Sequence, residues 1–108
     1  MRTTNPTSKI ILITGASCDI GEATARHLAV LGHQVVLGAR RTDRIAAIAN
    51  PVVDAGGTAL DHELDVTDLE SAKAFVAAAH RQFGRIDVLV NNAGVMPLSF
   101  MAELRVHE

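Results

Sequence analysis

Among its 108 residues the chain has no tyrosine and no tryptophan, and its single cysteine is Cys18. One thiol cannot close an intrachain disulfide, so packing alone has to hold the fold. No apolar run approaches the roughly 18 residues that would cross a bilayer. The N-terminal stretch MRTTNPTS lacks the apolar core of a signal peptide, which makes a cytoplasmic location the expectation. An excess of charge of one sign is also missing: ten basic and twelve acidic residues are spread along the chain, for a net charge of −2. Such a balance offers no field for nucleic acid or an anionic membrane, and neither partner is expected. The five histidines show no paired metal-ligand spacing, so no metal site is expected either.

What is present is an apolar content of 48% in a chain long enough for one domain with a buried core. Short apolar runs alternate with longer helical patterns, without repeats, as in β-α-β units of a parallel sheet. Ile10 to Ile13 and Val35 to Leu37 are nearly continuous apolar runs, the pattern of parallel strands covered on both faces. Between them a helix is expected from Ile20 to Leu31, with Ile20, Ala23, Leu28 and Leu31 inward and Gly32 at its C-terminus. A second helix opens near Thr42 with Ile45 and Ile48 inward, and Pro51 is expected to stop or kink it at Asn50. The third strand, about Thr58 to Leu64, mixes acids into TALDHELD and is expected at a sheet edge. Thr67-Asp68-Leu69-Glu70 reads as a capping box with Thr67 as the cap. It opens a helix whose inward stripe is Leu69, Ala72, Val76, Ala79 and Phe83, with Gly84 as the stop. Ile86 to Val90 gives a fourth strand, another expected edge, running into Asn91-Asn92-Ala93-Gly94. The expected class is α/β, a doubly wound parallel sheet, truncated after about four strands.

The stretch TGASCDIG, Thr14 to Gly21, joins the first strand to the first helix. A strand that turns into a helix in this way aims free N–H groups and a positive dipole end at an anion, typically a nucleotide pyrophosphate. Gly15 permits a tight turn and Gly21 permits close packing of helix on strand, whereas the glycine that usually lets the backbone approach phosphates is replaced by Asp19. Taken alone, the loop is also compatible with an ordinary strand-to-helix turn. Asp19 and Glu22 have the spacing of a capping box that would occupy those N–H groups. A carboxylate ~5 Å from one phosphate charge, at an effective dielectric of ~20, costs about 3 kcal/mol. That corresponds to roughly a hundredfold in affinity.

Thr14, Gly15 and Gly21 fit the pattern Thr-Gly-x-x-x-Gly-x-Gly except at Asp19; Asp65-Val66 follows the third strand, and Asn91-Asn92-Ala93-Gly94 is intact after the fourth. In order and spacing, over essentially the whole chain, these stretches resemble the classical short-chain dehydrogenases/reductases. The resemblance implies a Rossmann-type fold, with residues 1–108 as its NADP-binding half-domain. It also implies binding of a nicotinamide dinucleotide and hydride transfer to or from a hydroxyl or carbonyl substrate. Ala39 stands where an acid would bind the ribose hydroxyls of NAD, and Arg40-Arg41 follow. Arginines there suit the 2′-phosphate, which makes NADP the expected cofactor rather than NAD. The resemblance places Asp65-Val66 at the adenine; both arginines could instead be solvated residues opening the next helix, and Asp65 could instead serve a helix N-terminus. The residues that the resemblance places at the dinucleotide are Gly15, Ser17, Cys18, Asp19, Ile20, Gly21, Arg40, Arg41, Asp65, Val66, Asn91, Ala93 and Gly94.

The family's catalytic group is a Tyr, a Lys in Tyr-x-x-x-Lys spacing, a Ser and an Asn. With no tyrosine, and with Lys9 and Lys73 in no matching position, no catalytic residue is assigned here. The expected function is therefore the NADP(H)-binding portion of an oxidoreductase, with a non-catalytic nucleotide-binding module or an inactive fragment as the alternatives. A small-molecule substrate is expected only with a C-terminal half. Homo-oligomerisation is open, since Val95, Met96, Leu98, Phe100 and Met101 of the tail are candidates for exposed apolar surface.

Overall fold

The computed structural model describes residues 8–16 and 19–92. Four strands and three helices alternate: β1 (Ile10–Thr14), α1 (Asp19–Val30), β2 (Gln34–Ala39), α2 (Thr42–Asp54), β3 (Ala59–Glu63), α3 (Leu69–Phe83) and β4 (Val88–Asn91). All pairings are parallel, in the order β3-β2-β1-β4. The chain therefore winds outward from β1 through β2 to β3, then returns to the other side of β1. This reversal defines a doubly wound α/β sheet of Rossmann type, whose ligand crevice lies beyond the carboxyl ends of the strands. Among the described residues β3 and β4 are the two edges, and for β3 the acids in its sequence led us to expect it.

Alternation of side chains divides the core into two layers. Ile11, Ile13, Val35, Leu37 and Ala39 pack against Ala25 of α1 and Ile45, Ile48 and Ala49 of α2. On the opposite face Ile10, Leu12 and Val36 pack against Leu64 and against Ala72, Phe75, Val76 and Ala79 of α3. Every residue of β1 is buried, because it is covered on both faces and paired on both edges. Gly38 of β2 makes room for the largest core side chain: a Cβ there would stand 2.7 Å from the Phe75 ring.

Helix α1 buries a different stripe from the one expected. Ile20 is 71% and Leu31 51% exposed, Ala23 is exposed too, and the buried residues are Gly21, Ala25 and Ala29, with Leu28 partly buried against the core. Small side chains win because the helix sits close to the chain leaving β1. A Cβ on Gly21 would come within 2.7 Å of both Ala16 Cα and the Gly15 carbonyl oxygen. The helix does end at a left-handed glycine, Gly32 (φ 98°), whose N–H donates to the Ala29 carbonyl at 3.0 Å.

Pro51 does not stop α2 at Asn50; the helix continues to Asp54. Proline costs the helix its own N–H bond to the preceding turn and crowds the carbonyl there, yet the rest of the ladder continues. Its carbonyl still accepts from Ala55 N–H at 3.0 Å, and Val52 in the last turn is buried.

The cap of α3 is Asp68, not Thr67: the Asp68 carboxylate accepts from Glu70 N–H at 3.0 Å, while the Thr67 hydroxyl is engaged elsewhere. Leu69, in the first turn, is 42% exposed and leaves the expected stripe, where Phe75 takes a central place. Gly84 ends the helix in the left-handed region (φ 80°) as expected.

Strand β4 starts at Val88 rather than Ile86, which still packs on the core. Asp87 ties its start to β1 by accepting from Ile10 N–H at 2.8 Å and from Arg85 Nε at 2.9 Å. Arg85 also donates to the Ser8 carbonyl at 3.1 Å.

Candidate functional site

Where β1, β2 and β3 end, their following loops enclose a cavity of about 420 Å³ lined by Gly15, Ala39, Arg40, Arg41, Leu64, Asp65, Val66 and Thr67. Gly15 turns the chain out of β1 with φ 63°, a conformation that side chains rarely adopt. Backbone bonds join the walls: Ala16 N–H donates to the Gly38 carbonyl at 3.3 Å and Leu64 N–H to the Ala39 carbonyl at 3.0 Å. The cavity thus sits at the carboxyl end of the sheet, where doubly wound folds bind ligands.

The charged residues that line it differ in sign. Arg40 and Arg41 are both exposed. Arg41 precedes α2, its carbonyl accepting from Arg44 N–H at 3.1 Å and Ile45 N–H at 3.3 Å. Asp43 Oδ1 lies 3.9 Å from Arg41 Nε. Both groups are exposed, and such a pair is worth at most about 1 kcal/mol, so a phosphate can displace it.

The acidic residue of the lining is Asp65. Its Oδ1 accepts from Thr67 Oγ1 at 2.7 Å and Thr67 N–H at 3.0 Å, and its own N–H donates to Ser71 Oγ at 2.9 Å. The Thr67 hydroxyl first, then the Thr67 N–H, hold the carboxyl below its ordinary value, and the Arg40 charge acts in the same direction. Asp65 does not cap α3, since Asp68 does.

At the start of α1 the expected Asp19–Glu22 capping box is not formed. Asp19 already belongs to the first helical turn, whereas a capping residue stands outside it. Glu22 Oε2 points along the helix to Arg26, at 2.9 Å from Nε and 2.8 Å from Nη2. The exposed Asp19 carboxylate has no partner among the described residues.

Asn91 faces the sheet: its Oδ1 accepts from the hydroxyl of fully buried Thr14 at 2.9 Å. Asn92 N–H donates to the Thr14 carbonyl at 3.1 Å, and Asn92 Nδ2 is buried with no hydrogen-bond partner among the described residues.

Of the residues that the sequence singled out, the structure gathers Gly15, Arg40, Arg41, Asp65 and Val66 at one cavity. Asp19, Ile20 and Gly21 lie at the start of α1, and Asn91 lies on Thr14. Ser17, Cys18, Ala93 and Gly94 fall outside the described residues, as do Val95, Met96, Leu98, Phe100 and Met101. Sequence reasoning missed Thr67 as a site residue and Ser71 as its neighbour. The signal was there in Asp-x-Thr, because an Asp side chain readily bonds the backbone two residues on. A second cavity, of about 460 Å³, lies between α1 and α2 and shares no lining residue with the first.

A family model for the short chain dehydrogenases matches residues 9–108. An uncharacterized oxidoreductase of Staphylococcus saprophyticus is 43% identical over 105 residues, covering 96% of this chain and 42% of that protein. Two solved structures match at high probability. An alcohol dehydrogenase from the archaeon Thermococcus sibiricus, complexed with 5-hydroxy-NADP, has a TM-score of 0.72 at 42% identity, over 76% of this chain and 35% of that one. A metagenomic short-chain oxidoreductase in complex with NADP has a TM-score of 0.74 at 44% identity, over 81% and 39%. With a full-length family match on this sheet and loop arrangement, the chain belongs to the short-chain dehydrogenase family. It spans about two-fifths of the length of the curated relatives it matches.

Proposed function

We propose that this chain is the NADP(H)-binding portion of an oxidoreductase that transfers hydride between the cofactor and a hydroxyl or carbonyl substrate. The observation that carries the reading is that Arg40, Arg41 and Asp65 line one cavity together with the Gly15 turn. The donor set suits the adenosine end of NADP. Two guanidinium groups match a 2′-phosphate, and a carboxylate accepts from an exocyclic amino group. The missing side chain of Gly21 allows α1 to close onto the loop, the packing that brings a helix N-terminus to a pyrophosphate. Asp19 opposes this end of the ligand by its charge.

When bound, NADP(H) supplies the hydride chemistry; the residues described here bind and orient its adenosine half. Both structural relatives above hold NADP or an analogue of it, which supports the same cofactor here. The test is fluorescence titration of the chain with NADPH and NADH. NADPH is expected to bind at least about tenfold tighter, as one charge-assisted contact allows. In the double variant Arg40→Ala, Arg41→Ala the preference is expected to vanish. Equal affinities in the unaltered chain would overturn the cofactor assignment.

A further inference from the structure

We infer that Thr67 is a positioning residue that makes the cavity selective for adenine, by clamping one oxygen of Asp65 so that the other faces the base. This deepens the NADP(H) reading above and rests on it. Asp65 is anchored at nearly every polar atom. Its N–H donates to Ser71 Oγ, its carbonyl accepts from Asp68 N–H at 3.0 Å, and Oδ1 takes both the hydroxyl and the N–H of Thr67. Oδ2 alone has no partner among the described residues, and Asp65, Val66 and Thr67 all line the cavity.

The Asp65–Thr67 pair is not needed to start α3, because Asp68 accepts from Glu70 N–H and Ala72 N–H donates to the Asp68 carbonyl. What the two bonds to Oδ1 accomplish is to remove rotation of the carboxylate. A fixed carboxylate oxygen only accepts hydrogen bonds. It therefore favours a base with an amino group at that edge, as adenine has, and repels one with a carbonyl oxygen there, as hypoxanthine has. A freely rotating carboxylate pays more entropy for the same contact and discriminates less.

The experiment measures affinity for NADPH and for its analogue with hypoxanthine in place of adenine, using the unaltered chain, Thr67→Val and Thr67→Ser. The unaltered chain is expected to prefer NADPH about tenfold, the worth of one hydrogen bond. Thr67→Val is expected to bring the ratio close to one with its circular dichroism spectrum unchanged, and Thr67→Ser to restore it. A ratio retained in Thr67→Val, even with both affinities lowered, overturns the role of Thr67. A ratio near one in the unaltered chain overturns selection of the base while leaving the cofactor reading intact. Absence of binding to either nucleotide overturns that reading itself and this inference with it.

Discussion

The buried hydroxyl of Thr14 donates to Asn91 Oδ1 at 2.9 Å, joining the carboxyl ends of β1 and β4 by side chains as well as by their backbone ladder. These two strands flank the point where the strand order reverses, so the bond fixes the floor of the crevice. Thr14→Val keeps the shape but leaves Asn91 Oδ1 without this donor. The expected loss is about 1–2 kcal/mol of stability, read from the urea midpoint, with Thr14→Ser close to the unaltered chain. An unshifted midpoint in Thr14→Val would show the bond to be energetically idle.

Asp19 carries a charge with no partner among the described residues in the first turn of α1, where a pyrophosphate would approach. Its removal in Asp19→Gly is expected to tighten NADPH binding by up to roughly a hundredfold, from about 3 kcal/mol of relieved repulsion. Asp19→Asn separates charge from bulk, and the gain should shrink as salt screens the repulsion. If Asp19→Gly leaves NADPH affinity unchanged, the carboxylate does not oppose the cofactor.

Acid is expected to loosen the start of the sheet through Asp87. Ile10 N–H, followed by Arg85, holds the Asp87 carboxyl below its ordinary value of 3.8. The folded chain therefore binds that proton more weakly than the unfolded chain does. Stability from this group is fully present above the unfolded value and is lost as pH falls below it toward the folded one. Urea midpoints measured between pH 6 and pH 2.5 should decline less steeply at the acid end in Asp87→Asn. Parallel profiles for the two proteins would rule Asp87 out as the acid-sensitive group.

The contact between Gly38 and Phe75 is tight enough that a methyl group would clash, with 2.7 Å from the would-be Cβ to the ring. Gly38→Ala is expected to cost about 1–3 kcal/mol by overpacking. Adding Phe75→Leu to Gly38→Ala should recover part of that loss, a coupling that a double-mutant cycle reads directly. Additive effects would mean that the ring moves away without strain.

By itself the sequence determined the class of fold, the number and order of these elements, the edge position of β3 and the glycine stops at Gly32 and Gly84. Those features follow from local chemistry: hydrophobic period, turn residues and the freedom of glycine at positive φ. It also marked Gly15, Arg40, Arg41, Asp65 and Val66, whose meeting at one cavity the parallel sheet then brought about. Tertiary structure alone decided which face of α1 is buried, because closeness of approach favoured Gly21, Ala25 and Ala29 over the larger Ile20 and Leu31. It decided that α2 continues past Pro51, since burial of Val52 outweighs one lost hydrogen bond. It also decided between competing partners: Glu22 went to Arg26 instead of Asp19, and Thr67 to Asp65 instead of the helix end. Spacing shows which bonds a side chain is able to make. Only the packed chain shows which of them it does make, because the tertiary fold decides which partner stands within reach.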